Sequence, residues 1–228
     1  MSNYGAVIFD LYDTLATIDP QEYLNVKTRM ATAMNVPAED FLKAWKTYTK
    51  PAARGEVKSV EDRVSNVARD LGVQVTLKRI QEIANLERAL QEQKIQKLPG
   101  CDAVLEHLSR LGMRIALATN TSSVSKPVLR ILGIEKWFDV IVFSFEHQLL
   151  KPEPEIYQKA ATLVNTPVEQ CIFVGDGNDR ELNGAKAVGM LAIKVATSRD
   201  KRLSSKQSTE YDHEISNLEE LIPLISSL

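Results

Sequence analysis

Helices and strands alternate from residue 98 onward, and this alternation constrains the fold more than any other feature of the sequence. The apolar periodicity predicts helices over 101–111, 123–132, 153–164 and 180–188. It predicts strands over 114–119, 138–143, 170–175 and 191–195. Such alternation is typical of a parallel sheet with helices on both faces. We therefore expect an α/β fold built on a doubly wound, Rossmann-like parallel sheet.

A block of helices precedes this alternation. Residues 7–9 form a short apolar segment typical of a buried strand. After it, amphipathic helices and no strand are predicted, over 21–35, 38–49, 60–71 and 76–93. The first strand can join the later sheet, which makes the block an insertion. The sequence thus predicts a sheet domain of residues 1–16 and 97–228, and a small all-helical domain of residues 17–96.

Local signals mark some boundaries in more detail. Ser59 and Asp62 have the spacing of a capping box, which predicts a helix start. Residues 51–55 are expected to break the helical run, and residues 198–210 form a polar stretch expected to be a loop.

Composition excludes several classes of partner. The chain has 228 residues, 44% of them hydrophobic and 25% charged, with a formal net charge of -2. These values are typical of a soluble globular protein and give no electrostatic basis for binding nucleic acid or an anionic membrane. No apolar stretch approaches the ~20 residues that span a bilayer, and MSNYGAVIFD lacks the features of a signal peptide. We expect a cytoplasmic protein with a small-molecule substrate, either a monomer or a homodimer, whose Cys101 and Cys171 are buried thiols.

Polar residues stand where the predicted strands end. Asp10, Thr119, Asn120, Lys151 and Asp176 follow or end successive strand regions. In a doubly wound sheet, ligands bind beyond the carboxyl ends of the strands. A carboxylate nucleophile, hydroxyl and ammonium donors, and a second carboxylate able to hold Mg²⁺ suit the handling of a phosphate. The pattern indicates phosphoryl chemistry at one edge of the sheet.

The segments around these residues resemble, in order, the four motifs of the haloacid dehalogenase (HAD) superfamily. They are Phe9-Asp10-Leu11-Tyr12-Asp13-Thr14-Leu15, Ala118-Thr119-Asn120, Lys151-Pro152-Glu153-Pro154 and Val174-Gly175-Asp176-Gly177. The helical block resembles that superfamily's small C1-type cap. The resemblance covers essentially the whole chain, and four motifs in order are highly specific.

The resemblance implies roles for the matched residues. Asp10 matches the nucleophile, which forms an aspartyl-phosphate or, in dehalogenases, an aspartyl ester. Thr119 matches the hydroxyl that donates to the phosphoryl oxygens, and Asn120 accompanies it in substrate binding. Lys151 matches the cation that offsets the charge of nucleophile and phosphoryl group. Thr14 is expected to hold the nucleophile loop at the substrate, a role that is compatible with capping of the next turn.

A Mg²⁺ site is also implied. Asp10, Asp176 and the backbone carbonyl of Tyr12 match its protein ligands. Glu181 stands where many relatives carry a further acid in the outer shell of the metal, and Asp179 is an adjacent candidate for that task. Arg54 in the cap is a candidate for contact with the substrate, the alternative being a solvated surface charge.

Tyr12 departs from the phosphatase pattern. Most phosphatases of this superfamily carry a second Asp two residues after the nucleophile as general acid and base. Neighbours on an extended backbone point to opposite sides, so Asp13 is not expected to take over that role. Tyrosine here is similar to the L-2-haloacid dehalogenases, whose halide leaves without a proton. Those enzymes do not use Mg²⁺ and have uncharged residues where this chain has Asp176.

These observations favour a Mg²⁺-dependent phosphatase acting on a small phosphorylated metabolite. The alternatives are a 2-haloacid dehalogenase and a weakly active relative that binds a phosphorylated metabolite or a protein partner. The cap helices carry no pattern that identifies the substrate.

Overall fold

A six-stranded parallel sheet forms the centre of the protein. The computed structural model describes residues 4–196 and 207–228. Its strands are β1 (Ala6–Phe9), β2 (Ala16–Ile18), β3 (Ile95–Lys97), β4 (Arg114–Thr119), β5 (Val140–Phe143), β6 (Cys171–Gly175), β7 (Leu191–Val195) and β8 (His213–Ile215). The sheet has the order β5-β4-β1-β6-β7-β8. β1 is therefore a central strand of the sheet that the sequence analysis expected it to join.

Helices cover the sheet and form the insertion. Those of the insertion, which we call the cap, are α1 (Pro20–Met34), α2 (Ala38–Thr47), α3 (Thr49–Ala53), α4 (Val60–Asp70) and α5 (Leu77–Gln93). Those of the sheet domain are α6 (Cys101–Arg110), α7 (Val128–Ile131), α8 (Ser144–His147), α9 (Pro154–Leu163), α10 (Glu181–Ala187) and α11 (Leu221–Ser227). No helix within 4–196 or 207–228 has the length and apolar composition that a membrane crossing requires.

Each face of the sheet has its own buried core. Val7 and Phe9 pack in the core that α6, α7 and α11 cover, whereas Ala6 and Ile8 pack in the core beneath α9 and α10. Alternate residues of a strand face opposite sides. A strand buried on both sides is an uninterrupted apolar run, which is what the sequence has here. The predicted doubly wound sheet is confirmed.

The cap has a separate core of its own. Its largest helices, α1, α2, α4 and α5, enclose Met30, Phe41, Trp45, Val64 and Ile83. The predicted capping box at the start of α4 is present. Ser59 Oγ accepts a hydrogen bond from the Asp62 N–H, and the Asp62 carboxylate accepts one from the Ser59 N–H, both at 3.0 Å.

A short antiparallel ribbon connects the cap to the sheet domain. It pairs β2 with β3, placing Ala16 opposite Lys97 and Ile18 opposite Ile95. The sequence analysis predicted no strand there, because three residues are too few to show a period.

Other differences also have local causes. Part of the predicted break at 51–55 belongs to the short helix α3. Pro51 is the third residue of that helix, and at this position a missing N–H costs no intrahelical hydrogen bond. The predicted helix 123–132 is divided at Pro127 into a 3₁₀ turn over Ser123–Ser125 and the short α7. The strand β8 and the helix α11 were not predicted. Of the predicted loop 198–210, residues 198–206 lie outside the described residues.

Candidate active site

The candidate site lies at the carboxyl edge of the sheet. Because β1 lies between β4 and β6, Asp10, Asn120 and Asp176, which follow these three strands, emerge next to one another. A cavity of about 130 Å³ opens at this edge, and we call it the catalytic cavity. It is lined by Asp10, Tyr12, Asp13, Thr119, Asn120, Lys151, Asp176, Asn178, Asp179 and Glu181.

Lys151 is the cation of the catalytic cavity. Its side chain is buried, and Nζ forms ion pairs with Asp10 and Glu181. Burial disfavours the ammonium, but the two carboxylates outweigh that effect and raise the pKa of Lys151 above its usual value. Asn120 Nδ2 donates to the Lys151 carbonyl at 2.9 Å, and the Lys151 N–H donates to Asn120 Oδ1 at 2.8 Å. Asn120, predicted to bind substrate, therefore fixes the backbone of the lysine.

Three buried carboxylates face this cavity. Oxygens of Asp10, Asp176 and Glu181 lie within 4.8 Å of one another. Burial, and then repulsion by the Glu181 and Asp10 carboxylates, raises the pKa of Asp176 to about 9. Among the described residues, Lys151 is the one basic residue that lines the cavity, so the three buried acids share its ammonium. Carboxylate oxygens are ligands that Mg²⁺ prefers, and the excess negative charge of this donor set fits a divalent cation.

Both oxygens of the Glu181 carboxylate accept hydrogen bonds from the protein, as both oxygens of Asp176 do from Asn178. Oε1 accepts from the Gly177 N–H at 3.1 Å, and Oε2 accepts from Lys151 at 2.5 Å. A Cβ at Gly175 would overlap the Glu181 carboxylate, so glycine is needed there for the acid to approach. A place for Glu181 in the outer shell of a metal stays a prediction.

Two buried threonine hydroxyls have no hydrogen-bond partner among the described residues, those of Thr14 and Thr119. Thr119 lines the catalytic cavity beside Asp10. Buried hydroxyls in proteins are nearly always hydrogen-bonded, so this orphan fits an oxygen atom of a ligand. Thr14 is not among the residues that line the cavity. It belongs to a tight turn in which the Leu15 N–H donates to the Leu11 carbonyl at 2.9 Å.

The Tyr12 side chain bridges the sheet domain and the cap. Its hydroxyl donates to Gln91 Oε1 on α5 at 2.6 Å and shares a hydrogen bond of 2.6 Å with Ser125 Oγ. Burial raises the pKa of this hydroxyl above its usual value. Tyr12 therefore stays protonated and holds the nucleophile loop against the cap.

Asp13 lies in a turn. The expectation that Asp13 does not take over the acid/base role rested on an extended backbone, and the backbone is not extended here. Asp13 has a left-handed φ of 57° and its N–H donates to the Ala16 carbonyl at 2.7 Å. The resulting turn places Asp13 among the residues that line the catalytic cavity, with Thr17 Oγ1 donating to its carboxylate.

Arg54 lies at the contact between the cap and the sheet domain. It forms an ion pair with Glu153, and its Nη1 donates to the Gln148 carbonyl at 3.2 Å. It is not among the residues that line the catalytic cavity. The neighbouring Gly55 packs so closely on the Phe145 carbonyl that a Cβ would overlap it. Contact of Arg54 with a substrate stays a prediction.

A second cavity, of about 190 Å³, lies between the cap and the sheet domain. We call it the cap cavity. It shares Tyr12 and Asn120 with the catalytic cavity. Its other lining residues are Tyr23, Trp45, Thr49, Ala53, Arg63, Glu87, Gln91, Thr121, Ser122, Val124 and Ser125. Sequence reasoning missed the polar members of this set, because a helical period shows which face is buried but not which buried residues border a cavity.

Comparisons with known proteins agree with this geometry. The family model of haloacid dehalogenase-like hydrolases matches residues 4–189. A glyceraldehyde 3-phosphate phosphatase of Methanocaldococcus jannaschii is 23% identical over 229 residues, covering 97% of each chain. A HAD phosphatase of Thermococcus onnurineus superposes with a TM-score of 0.69 at 21% identity, covering 96% of this chain and 97% of the other. The L-2-haloacid dehalogenase of Xanthobacter autotrophicus gives a TM-score of 0.70 at 17% identity, covering 99% of each chain. At these identities, structural likeness shows the fold and not the reaction.

Proposed function

The chain belongs to the haloacid dehalogenase-like hydrolase family, and from that premise we propose that it is a Mg²⁺-dependent phosphatase of a small phosphorylated metabolite. One observation carries the proposal, the buried cluster of Asp10, Asp176 and Glu181 around Lys151. Three acids with one ammonium are stable together when a divalent cation and a phosphoryl group complete the charge balance. The full-length match to a glyceraldehyde 3-phosphate phosphatase supports the same reaction class.

Asp10 is the nucleophile in this proposal. A carboxylate oxygen of Asp10 attacks phosphorus, the bond from phosphorus to the leaving oxygen breaks, and its electron pair departs with that oxygen. An aspartyl-phosphate results. Water then attacks phosphorus, which releases inorganic phosphate and restores the Asp10 carboxylate.

Lys151 and Thr119 stabilise the phosphoryl group. The Lys151 ammonium already contacts Asp10, so it lies where charge moves from nucleophile to phosphoryl oxygens. The Thr119 hydroxyl, buried and without a partner among the described residues, donates to one of those oxygens. Donors fixed before the reaction stabilise developing charge most effectively.

A metal ion would be held by Asp10 and Asp176, with the Tyr12 backbone carbonyl as a further ligand and Glu181 beyond the direct ligands. When bound, Mg²⁺ neutralises part of the negative charge on the phosphoryl group.

Asp13 handles the proton of the leaving group. Tyr12 occupies the usual position of the general acid but holds its proton in hydrogen bonds to Gln91 and Ser125. Asp13 lines the catalytic cavity from the same loop as the nucleophile. It gives a proton to the leaving oxygen and later takes one from the attacking water.

The second candidate function is that of a 2-haloacid dehalogenase, which the tyrosine at position 12 favours. Asp176 and Glu181 argue against it. Buried carboxylates beside Asp10 repel the carboxylate of a 2-haloacid, whereas a metal-bound phosphate makes use of them.

One pair of assays tests the proposal. Phosphate release from p-nitrophenyl phosphate is measured with Mg²⁺ and with EDTA, and chloride release from 2-chloropropionate is measured in parallel. We expect Mg²⁺-dependent phosphate release that Asp10→Asn abolishes. Metal-independent chloride release would overturn the proposal in favour of the dehalogenase. Absence of both activities, together with stabilisation of the fold by phosphorylated compounds, would overturn it in favour of a binding protein.

Because Cys101 and Cys171 are buried and unpaired, we place this activity in the reducing cytoplasm. Monomer and homodimer both fit the proposal.

A further inference from the structure

The cap cavity is bordered by a cation that forms no ion pair with any of the described residues. Arg63, on α4, lines this cavity. None of the ion pairs found within residues 4–196 and 207–228 includes Arg63. Its Nη2 instead donates to two uncharged acceptors, the Trp45 carbonyl at 2.7 Å and Thr49 Oγ1 at 3.0 Å.

The guanidinium is held in a fixed position and keeps donors for a ligand. Its central carbon lies 4.0 Å from the centroid of the Trp45 ring, a stacking arrangement that orients the planar group. The Arg63 Nε atom is buried and has no partner among the described residues. A buried donor without an acceptor costs free energy comparable to a lost hydrogen bond, and an oxygen atom of a ligand would remove that cost.

The other charges around the cap cavity cancel one another. Glu87 is the one acid among the described residues that lines it, and Glu87 forms a buried ion pair with Lys27. Lys27 also lies over the Trp45 ring, with Nζ 4.4 Å from its centroid. Two cations and one carboxylate therefore meet around one ring. Burial lowers the pKa of the Arg63 guanidinium, and the Glu87 carboxylate only partly offsets this effect.

The cap cavity lies where the leaving group of a substrate would go. It adjoins the catalytic cavity at Tyr12 and Asn120. A phosphoryl group at Asp10 therefore directs the rest of a small substrate either into solvent or into this polar space. The space offers hydroxyls and an amide, from Tyr23, Gln91 and Ser125, beside the Arg63 guanidinium.

We propose that Arg63 binds an oxyanion on the leaving group, so that the preferred substrate carries a second anionic group besides the phosphate that is removed. This inference rests on the proposed phosphatase function. A carboxylate or a second phosphate would supply the oxyanion, since a guanidinium binds both through paired N–H donors. The substrate class is thus a small phosphorylated acid or a bisphosphate.

Two pairs of matched substrates test the proposal and show whether the oxyanion is a carboxylate or a second phosphate. Glycerol 3-phosphate is compared with 3-phosphoglycerate, and fructose 6-phosphate with fructose 1,6-bisphosphate. In the wild-type protein, kcat/KM should be about 10- to 100-fold higher for the member of one pair that carries a second anionic group. This difference is the contribution expected of a charged hydrogen bond. Preference in the first pair identifies a carboxylate, and preference in the second identifies a phosphate.

Variants assign the preference to Arg63. Arg63→Gln should remove it, while Arg63→Lys should keep part of it and serves as a check on folding. Arg69→Gln is the control, because Arg69 is on the same helix with a side chain that is 70% exposed. Equal kcat/KM within both pairs, or a preference that survives Arg63→Gln, would overturn the proposal.

Binding provides a second readout that does not depend on turnover. Affinities of the same four compounds for Asp10→Asn are measured by calorimetry, with and without Arg63→Gln. Tighter binding of 3-phosphoglycerate or fructose 1,6-bisphosphate that requires Arg63 supports the inference even if no phosphate is released. Absence of phosphate release would overturn the phosphatase proposal alone. Equal affinities would overturn the inference and leave the phosphatase proposal standing.

Discussion

The hydroxyl of Tyr12 donates a hydrogen bond to Gln91 Oε1 across 2.6 Å, joining the loop of the proposed nucleophile to helix α5 of the cap. The same hydroxyl contacts Ser125 in the segment after β4. At the position where relatives with a phosphatase pattern have a carboxylate, this chain has Tyr12, whose side chain joins the sheet domain to the cap. The residue that departs from the motif thus has a structural reason to be aromatic and hydroxylated.

Tyr12→Phe should weaken this contact without disturbing the ring. We expect a loss of about 1 kcal/mol in unfolding free energy, which lowers Tm by about 2–4 °C in a chain of this length. Turnover of p-nitrophenyl phosphate should fall less than about tenfold, because the hydroxyl is not an acid in the proposed reaction. A double-mutant cycle with Gln91→Leu measures the coupling. A far larger loss of kcat at unchanged stability would show that the hydroxyl takes part in the chemistry.

Lys151→Met should affect both activity and stability. Removing the ammonium takes away a fixed donor to the phosphoryl group, which costs about 10²–10³ in kcat. It also leaves Asp10 and Glu181 buried without their cation, and breaking a buried pair costs about 3–5 kcal/mol. Mg²⁺ should restore part of this stability. The measurements are steady-state kinetics and denaturant unfolding with and without Mg²⁺.

The control for the lysine variant is Lys186→Met, which breaks the partly exposed pair with Asp212. Its unfolding free energy should change by less than about 1 kcal/mol and should not depend on Mg²⁺. An unfolding free energy of Lys151→Met that is equally insensitive to Mg²⁺ would contradict a cation site at the three carboxylates.

Asp13→Asn tests the assignment of the leaving-group proton. Loss of a general acid matters for an alkoxide that leaves poorly and little for a p-nitrophenolate. We therefore expect kcat to fall by about 10² or more on glycerol 3-phosphate and by less than about tenfold on p-nitrophenyl phosphate. Asp179→Asn is the matched control, since Asp179 also lines the cavity with a left-handed φ of 53°. The same selective loss in Asp179→Asn, and none in Asp13→Asn, would reassign the role.

Asp13 also shows where sequence reasoning fails. The strands of the sheet and the acids at their ends were predictable, because apolar runs and turn residues are local signals. The path of residues 11–16 was not predictable, because a left-handed residue inverts the direction that alternation implies. The alternation of side chains along a β-strand does not apply to a turn, and no glycine marks this turn in the sequence.

The cap shows a different limit. Its helices and the capping box at Ser59 were predicted from local pattern. Its cavity was not, because Trp45, Arg63 and Glu87 come from three different helices and meet only through packing. Trp45 packs against Phe41 at 5.6 Å between ring centroids. It also borders the cavity, a relationship that no periodicity in the sequence carries.

Arg54 and Glu153 form a pair whose role two variants can separate. Both side chains are about a third exposed, 37% and 35%, so removing the pair should cost less than about 1 kcal/mol. If the pair only holds the cap to the sheet domain, Arg54→Gln should have the same effect on kcat and on KM as Glu153→Gln. We expect that result, measured by steady-state kinetics on p-nitrophenyl phosphate. A rise in KM confined to Arg54→Gln would instead support the predicted contact with the substrate.

The two buried cysteines make stability depend on alkaline pH. Burial raises the pKa of Cys101 from 9.0 to about 12 and that of Cys171 from 9.0 to about 11. Above pH 9 the unfolded chain loses thiol protons that the folded chain keeps, so unfolding becomes more favourable as the pH rises through the range from 9 to 12. Below pH 9 the thiols are protonated in both the folded and the unfolded chain, so they cause no loss of stability there.

The prediction for these thiols is a denaturation midpoint that falls between pH 8 and pH 10.5 more steeply in the wild-type protein than in the double variant Cys101→Ala, Cys171→Ala. Comparison with the double variant removes the contributions of lysine and tyrosine, which titrate in the same range. Neither thiol should react with Ellman's reagent at pH 8 in the folded protein, and both should react in urea. Equal slopes in the two proteins, or rapid labelling of the folded chain, would show that the thiols are accessible and titrate normally.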